Sequence, residues 1–232
     1  MIVLQYGMQG SASSWVFNVL KEIAELRGSS QYEILSKSGI GQRAWRRLKY
    51  VRYGTHNIPE DAWDLCEISN LIDDKDIVVL KTHSDLPSNA IELLLKDKMK
   101  VFVTMRDPID AAWSIYKKGI LARELGKNQF SHINSFEHAL KIIKTDCQKT
   151  STWIHNKNVH IVTYEMIKYC PEACVKLMMN CLGVGESEDA INALSTLVPG
   201  NFSTGEPGEG YKNIDHPNIE GFFNSMYSSI KR

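Results

Sequence analysis

The sequence carries no surplus of charge. Its 27 lysines and arginines face 27 aspartates and glutamates, so the basic footprint of a nucleic-acid binder is missing and no nucleic-acid partner is expected. No apolar run approaches the roughly 20 residues that a membrane-spanning helix needs, which sets a membrane partner aside. The first residues, MIVLQYGMQG, have no basic segment, long apolar stretch or small-residue cleavage site; secretion is not expected, and a cytoplasmic location is. The five cysteines, Cys66, Cys147, Cys170, Cys174 and Cys181, show no CxxC spacing, and an odd, scattered set suits a reducing compartment better than a disulfide framework. Cys170 and Cys174 can share a helix face, but no further ligands stand at matching spacing, so buried thiols are the better reading and no metal is expected. No lysine precedes Lys21, which rules out the GxxxxGK[ST] phosphate loop and disfavours an ATP or GTP hydrolase or a small-metabolite kinase. GMQGSA also lacks the GxGxxG spacing of dinucleotide binders.

What is present is an ordinary globular chain: 232 residues, 43% of them hydrophobic, can bury one sizeable core and form a single domain over residues 1–232. Short apolar runs at Ile2 to Tyr6, Ile77 to Leu80, Val101 to Thr104 and Val159 to Val162 read as strands. Helical patterns separate them: from Ser14 or Trp15 to Leu26, Ser88 to Lys96, the stretch opened by Pro108, and Phe136 to His155. Further helices are expected at Pro171 to Leu182, at Glu188 to Leu197 and from about Asn218, with a glycine-rich loop, GNFSTGEPGEGYKN, between the last two. Strands alternating with helices predict an α/β fold whose central, mostly parallel sheet is flanked by helices.

Unusual polar residues collect at the carboxyl ends of these strands, where ligands bind in an open parallel sheet. After the first strand, Gly10, Ser11, Ala12, Ser13 and Ser14 offer small residues whose N–H groups can approach a phosphate, with a helix N-terminus behind them; a plain helix cap reads equally well. Lys81 and His83 alternate at the end of the second strand and can share a face, although a histidine there is commonly a structural hydrogen-bonding residue. Arg106 stands where RDP opens a helix. From Lys37 to Arg52 the chain holds Lys37, Arg43, Arg46, Arg47, Lys49 and Arg52 without an acidic residue, either a solvated face or a basic wall beside an anion.

The strings YGMQGSASSWV, VVLKTHSDLP, VTMRDPIDAAWSIY and IVTYE, in this order and each at a predicted strand end, resemble the motif set of the sulfotransferases that use 3′-phosphoadenosine 5′-phosphosulfate (PAPS) and release 3′,5′-adenosine diphosphate (PAP). The likeness spans about Met1 to Glu165. It implies a three-layer fold like that of phosphate-loop proteins, and transfer of sulfonate without a metal. By resemblance, Ser11 to Ser14 hold the 5′-phosphosulfate, Trp15 stacks on adenine, and Arg106 and Ser114 bind the 3′-phosphate. Lys81 offsets charge on the sulfonate, His83 is the general base, and Tyr164 lies on the adenine side.

The chain departs from the pattern at two places. Gly10 stands where the family usually has a lysine or arginine. Near the end, Ser203-Thr204-Gly205, Gly208 and Tyr211-Lys212 keep the outline of the family's 3′-phosphate clamp without its first two cations; Lys212 or the basic block is a candidate substitute. The expected acceptor is the hydroxyl or amine of a small molecule, such as an alkaloid or another secondary metabolite. Its pocket is expected around Ser84 to Leu86, Ser30 to Pro59 and Phe130 to Phe136, with Trp45, Tyr50, Tyr53 and Phe130 as possible walls. A nucleotide-binding protein without transferase activity is the alternative, and no oligomeric state is legible.

Overall fold

A computed structural model of the chain describes residues 1–29, 65–73, 75–86, 88–197 and 205–213. Strand β1 (Ile2–Gly7) is buried along its whole length, which is why it reads as a continuous apolar run rather than an alternation. It pairs in parallel with β2 (Val78–Thr82) on one side and β3 (Met99–Met105) on the other, and β4 (Val159–Thr163) pairs in parallel with β3. The order is β2-β1-β3-β4. It reverses at β1, so the loops after β1 and β3 leave from a switch point.

Parallel neighbours require crossovers, and helices supply them. Helix α1 (Ser13–Leu26) follows β1, α2 (Leu65–Leu71) precedes β2, and α3 (Ser88–Leu95) joins β2 to β3. Helices α4 (Pro108–Glu124) and α5 (Phe136–Ile154) lie between β3 and β4. After β4 come α6 (Tyr164–Tyr169), α7 (Pro171–Leu182), α8 (Glu188–Ser195) and α9 (Glu209–Asn213). Pro108 opens α4 because its missing N–H would be unpaired there anyway. The Asp107 carboxylate caps the same helix, accepting from the N–H groups of Ile109 and Asp110. Ser135, Thr163 and Ser187 cap α5, α6 and α8 in the same way.

Two apolar clusters hold the layers together. The larger ties Val3, Leu80 and Val101 of the sheet to Phe17 and Leu20 of α1 and to Met178 of α7. The second joins Ile109, Ala112 and Ile115 of α4 to Leu140 and Ile143 of α5, with Met8 from the loop after β1. Tyr6 stacks on Trp153 with ring centroids 5.3 Å apart.

The expected architecture and elements are found, with local differences. β2 runs on through Lys81 and Thr82, beyond its apolar stretch. The short helices α2 and α6 were not expected, and part of the glycine-rich tail folds as α9. The helix expected from Asn218, the basic block from Lys37 to Arg52 and the pocket segment from Ser30 to Pro59 lie outside the described residues. Among the described residues no helix is long and apolar enough to cross a membrane.

Candidate active site

The site is built outward from the end of β1. A Cβ on Gly7 would lie 2.3 Å from Ser13 Cβ and 2.4 Å from Thr104 Oγ1, so only glycine lets α1 begin this close to the strand. Gly10 and Ala12 then take positive φ, 79° and 65°. For Ala12 the left-handed conformation costs roughly 1–2 kcal/mol. A left-handed residue leading into a helix is the geometry in which successive N–H groups converge on an anion. Unlike α4, α5 and α8, α1 has no side-chain cap and no acidic residue in its first turn, so among the described residues no carboxylate or cap offsets its positive end.

The loop is braced from below. Ser11 is fully buried; its hydroxyl donates to Met8 O at 2.6 Å and lies 2.9 Å from Thr104 Oγ1, which also receives Gln5 Nε2 at 3.2 Å. The Gln9 N–H donates to the Asp146 carboxylate at 2.8 Å. Burial pushes the pKa of Asp146 up to about 6. Ser13 is buried, and Trp15 packs within the main core cluster.

Three charged or titratable side chains meet this loop. Lys81, only 5% exposed, donates to Ser14 Oγ at 2.9 Å. Burial and, second, the charge of Lys118 push its pKa down to about 8. Arg106, also 5% exposed, stacks its guanidinium 3.8 Å from the centre of the Tyr164 ring and donates to Gly10 O at 3.4 Å, while its Nε has no partner among the described residues. Among the described residues neither cation is paired with a carboxylate. His83 Nδ1 bonds Gly7 O. A carbonyl only accepts, so Nδ1 carries the proton and Nε2 keeps a lone pair. Burial and the neighbouring Lys81 push the pKa of His83 down to about 3, against the lift from that hydrogen bond.

A strap made of residues 205–213 closes over Arg106. A Cβ on Gly205 would lie 3.1 Å from Arg106 Nη2. Tyr164 holds the strap by donating its hydroxyl to Gly205 O at 2.6 Å. Asp110, buried on α4, accepts from the N–H groups of Gly208 at 2.6 Å and Gly210 at 2.7 Å. Trp113 Nε1 and Lys117 both donate to Glu209, and Tyr211 donates to Asp107 at 3.1 Å. Ser114 is buried on α4, two turns beyond Arg106. Lys212 lies exposed on α9. Asp110→Ala strands two N–H groups and is expected to destabilise the protein by about 2–3 kcal/mol. It should also weaken nucleotide binding, with a lowered urea midpoint and a raised Kd as the readings.

Lys81, His83, Arg106, the uncapped turn and the strap thus stand together at the carboxyl end of the sheet. The model of the sulfotransferase domain matches residues 11–206, which is most of the chain. The chain belongs to the family of sulfotransferases that use PAPS. No curated protein matches the sequence. Among solved structures, retinol dehydratase in complex with androsterone and the inactive cofactor PAP is 16% identical, with 99% of this chain and 79% of that one covered at a TM-score of 0.55. A mouse sulfotransferase complexed with PAP is 14% identical, with 100% and 84% covered at a TM-score of 0.57. At such identities the likeness carries the sulfotransferase fold.

In this sulfotransferase three residues at the site escaped the sequence reading: Asp110, Asp146 and Lys118. An acid four residues past Arg106 was the one local signal for Asp110. Asp146 sits in an amphipathic helix, where a charged residue normally marks solvent, and Lys118 belongs to an adjacent lysine pair on α4.

Proposed function

We propose that the protein transfers the sulfonate of PAPS to a hydroxyl or amine of a small molecule, at the site formed by residues 10–14, Lys81, His83 and Arg106. The observation that carries this reading is the pair of buried cations, Lys81 and Arg106, without carboxylate partners among the described residues, beside the uncapped start of α1. A buried charge left uncompensated costs several kcal/mol, by order of magnitude, and an anionic ligand removes that cost. The orphaned Arg106 Nε fits a phosphate in the same way.

When bound, the donor supplies the sulfonate and leaves as PAP. Arg106 forks onto the 3′-phosphate with Ser114 beside it, as planar guanidinium donors do. The N–H groups of Ala12, Ser13 and Ser14 face the 5′ side at the positive end of α1, while that of Ser11 is held by Met8 O. Lys81 neutralises charge that develops as the bond to sulfur breaks. Nε2 of His83 takes the proton from the acceptor's hydroxyl or amine, and Gly7 O fixes the tautomer that makes this possible. Ser84 to Leu86 and Phe130 to Phe136 wall the acceptor pocket. The androsterone and retinol named with the similar solved structures support a small, largely apolar acceptor, and a secondary metabolite such as an alkaloid fits that description. Five free cysteines favour a cytoplasmic setting.

Isothermal titration with PAP tests this reading. Because Lys81 titrates near 8 in the free protein, an anion that restores its charge raises that pKa, so binding at pH 8.5 should take up protons. The same titration in two buffers of different ionisation enthalpy measures the uptake. Failure of the wild-type protein to bind PAP would refute the proposal.

A further inference from the structure

The structure gives a reason why no cation stands at residue 10. Gly10 has φ +79°, and a Cβ there would lie 2.9 Å from the carbonyl oxygen of Ala111 and 3.4 Å from Ile115 Cγ2. The space is filled by α4. That helix carries Lys118 three residues after Ile115 and four after Ser114, hence one turn further along the face that packs on the loop. Lys118 is half-buried, with its ammonium 5.7 Å from the centre of the Phe130 ring. Among the described residues it has no ion pair.

Its charge is felt at both donor-site cations. Burial and then Arg106 hold the pKa of Lys118 down, while Lys118 is the charge that depresses Lys81. Three mutually repelling cations in a partly dry pocket are unfavourable until an anion enters, when each repulsion is offset by an attraction. The cluster is therefore arranged for a ligand of concentrated negative charge.

We propose that Lys118 supplies, from α4, the cation that the loop cannot hold at residue 10, and that its ammonium meets the negative charge on the 5′ side of the donor. Lys118 then acts on the reacting group, stabilising the phosphate oxygen from which the sulfonate departs. This rests on the donor-site reading above. A cation recognising an anionic acceptor from beside Phe130 is the competing role.

The test compares wild type, Lys118→Met and Lys118→Arg by isothermal titration with PAP and with adenosine 3′-monophosphate, which lacks the 5′ group. Lys118→Met is expected to weaken PAP about tenfold, the loss of one charge-assisted contact, and to leave adenosine 3′-monophosphate unchanged. Lys118→Arg, which keeps the charge, should lie close to wild type. Removing one of three repelling charges should not lower the melting temperature, so folding does not confound the comparison. Unchanged PAP affinity in Lys118→Met, which is the outcome of an acceptor-recognition role, overturns the inference alone. Equal weakening of both nucleotides overturns it as well, because the effect would then not belong to the 5′ side. If wild type binds neither nucleotide, the donor-site reading fails and this inference fails with it.

Discussion

Arg106→Ala is expected to weaken PAP binding about a hundredfold, the usual scale for truncating one partner of a buried charge pair. The guanidinium is held ready by the Tyr164 ring on one face and by Gly205 of the strap at its edge, with Nε left over for a ligand. Little ordering therefore remains to be done when a phosphate arrives. The apo protein should not lose much stability, because the residue removed is a buried cation without a carboxylate partner among the described residues. Arg106→Lys keeps the charge but loses both the fork and the stack, and should fall between wild type and alanine. Isothermal titration gives the affinities and thermal melts the stabilities. A 3′-phosphate bound elsewhere would leave all three proteins alike.

His83→Ala should lower turnover by about 10²- to 10⁴-fold, the usual contribution of a positioned general base, while PAP affinity stays the same. Burial and Lys81 push the pKa of the imidazole down to about 3 in the free protein, so there it is neutral near neutral pH and its Nε2 lone pair is available. Protonation of His83 should therefore not produce an acidic limb in kcat/KM above about pH 4, a value set by that same pKa. Release of PAP from PAPS in the presence of phenol and amine panels measures both. Retained turnover in His83→Ala would move the base to another residue. A protein that only binds nucleotide has no turnover to lose, so the wild-type measurement separates transfer from binding.

Much of the scaffold was legible because local signals and tertiary structure agree. β1 and β3 are apolar runs that end in glycine and in RDP, and Pro108 and Asp107 open α4 by ordinary capping chemistry. Pro171 to Leu182 is a helix with the expected bounds. β2 was read short because Lys81 and Thr82 are polar, yet they pair with Gln5 and Tyr6 of β1; the sheet's register, not hydrophobicity, keeps them in the strand.

The strap was read as a loop since its glycines favour turns. Its helix α9 depends on Asp110, about a hundred residues away in sequence, a partner that no local pattern reveals. Ser11 looked like a phosphate ligand, but its hydroxyl is spent on Met8 and Thr104. Tyr164 could be read as core or as ligand-facing; it carries Arg106 on its ring and the strap on its hydroxyl. Lys118 was hidden most completely, because a lysine pair on a helix ordinarily carries its charges into water.

The most direct measurement is a crystal structure of the complex with PAP. The expected result places the 3′-phosphate on Arg106 and Ser114 and the 5′-phosphate at the first turn of α1, within reach of Lys81. A nucleotide bound away from Arg106, or turned so that its 5′-phosphate points away from α1, would contradict the sulfonate-donor site.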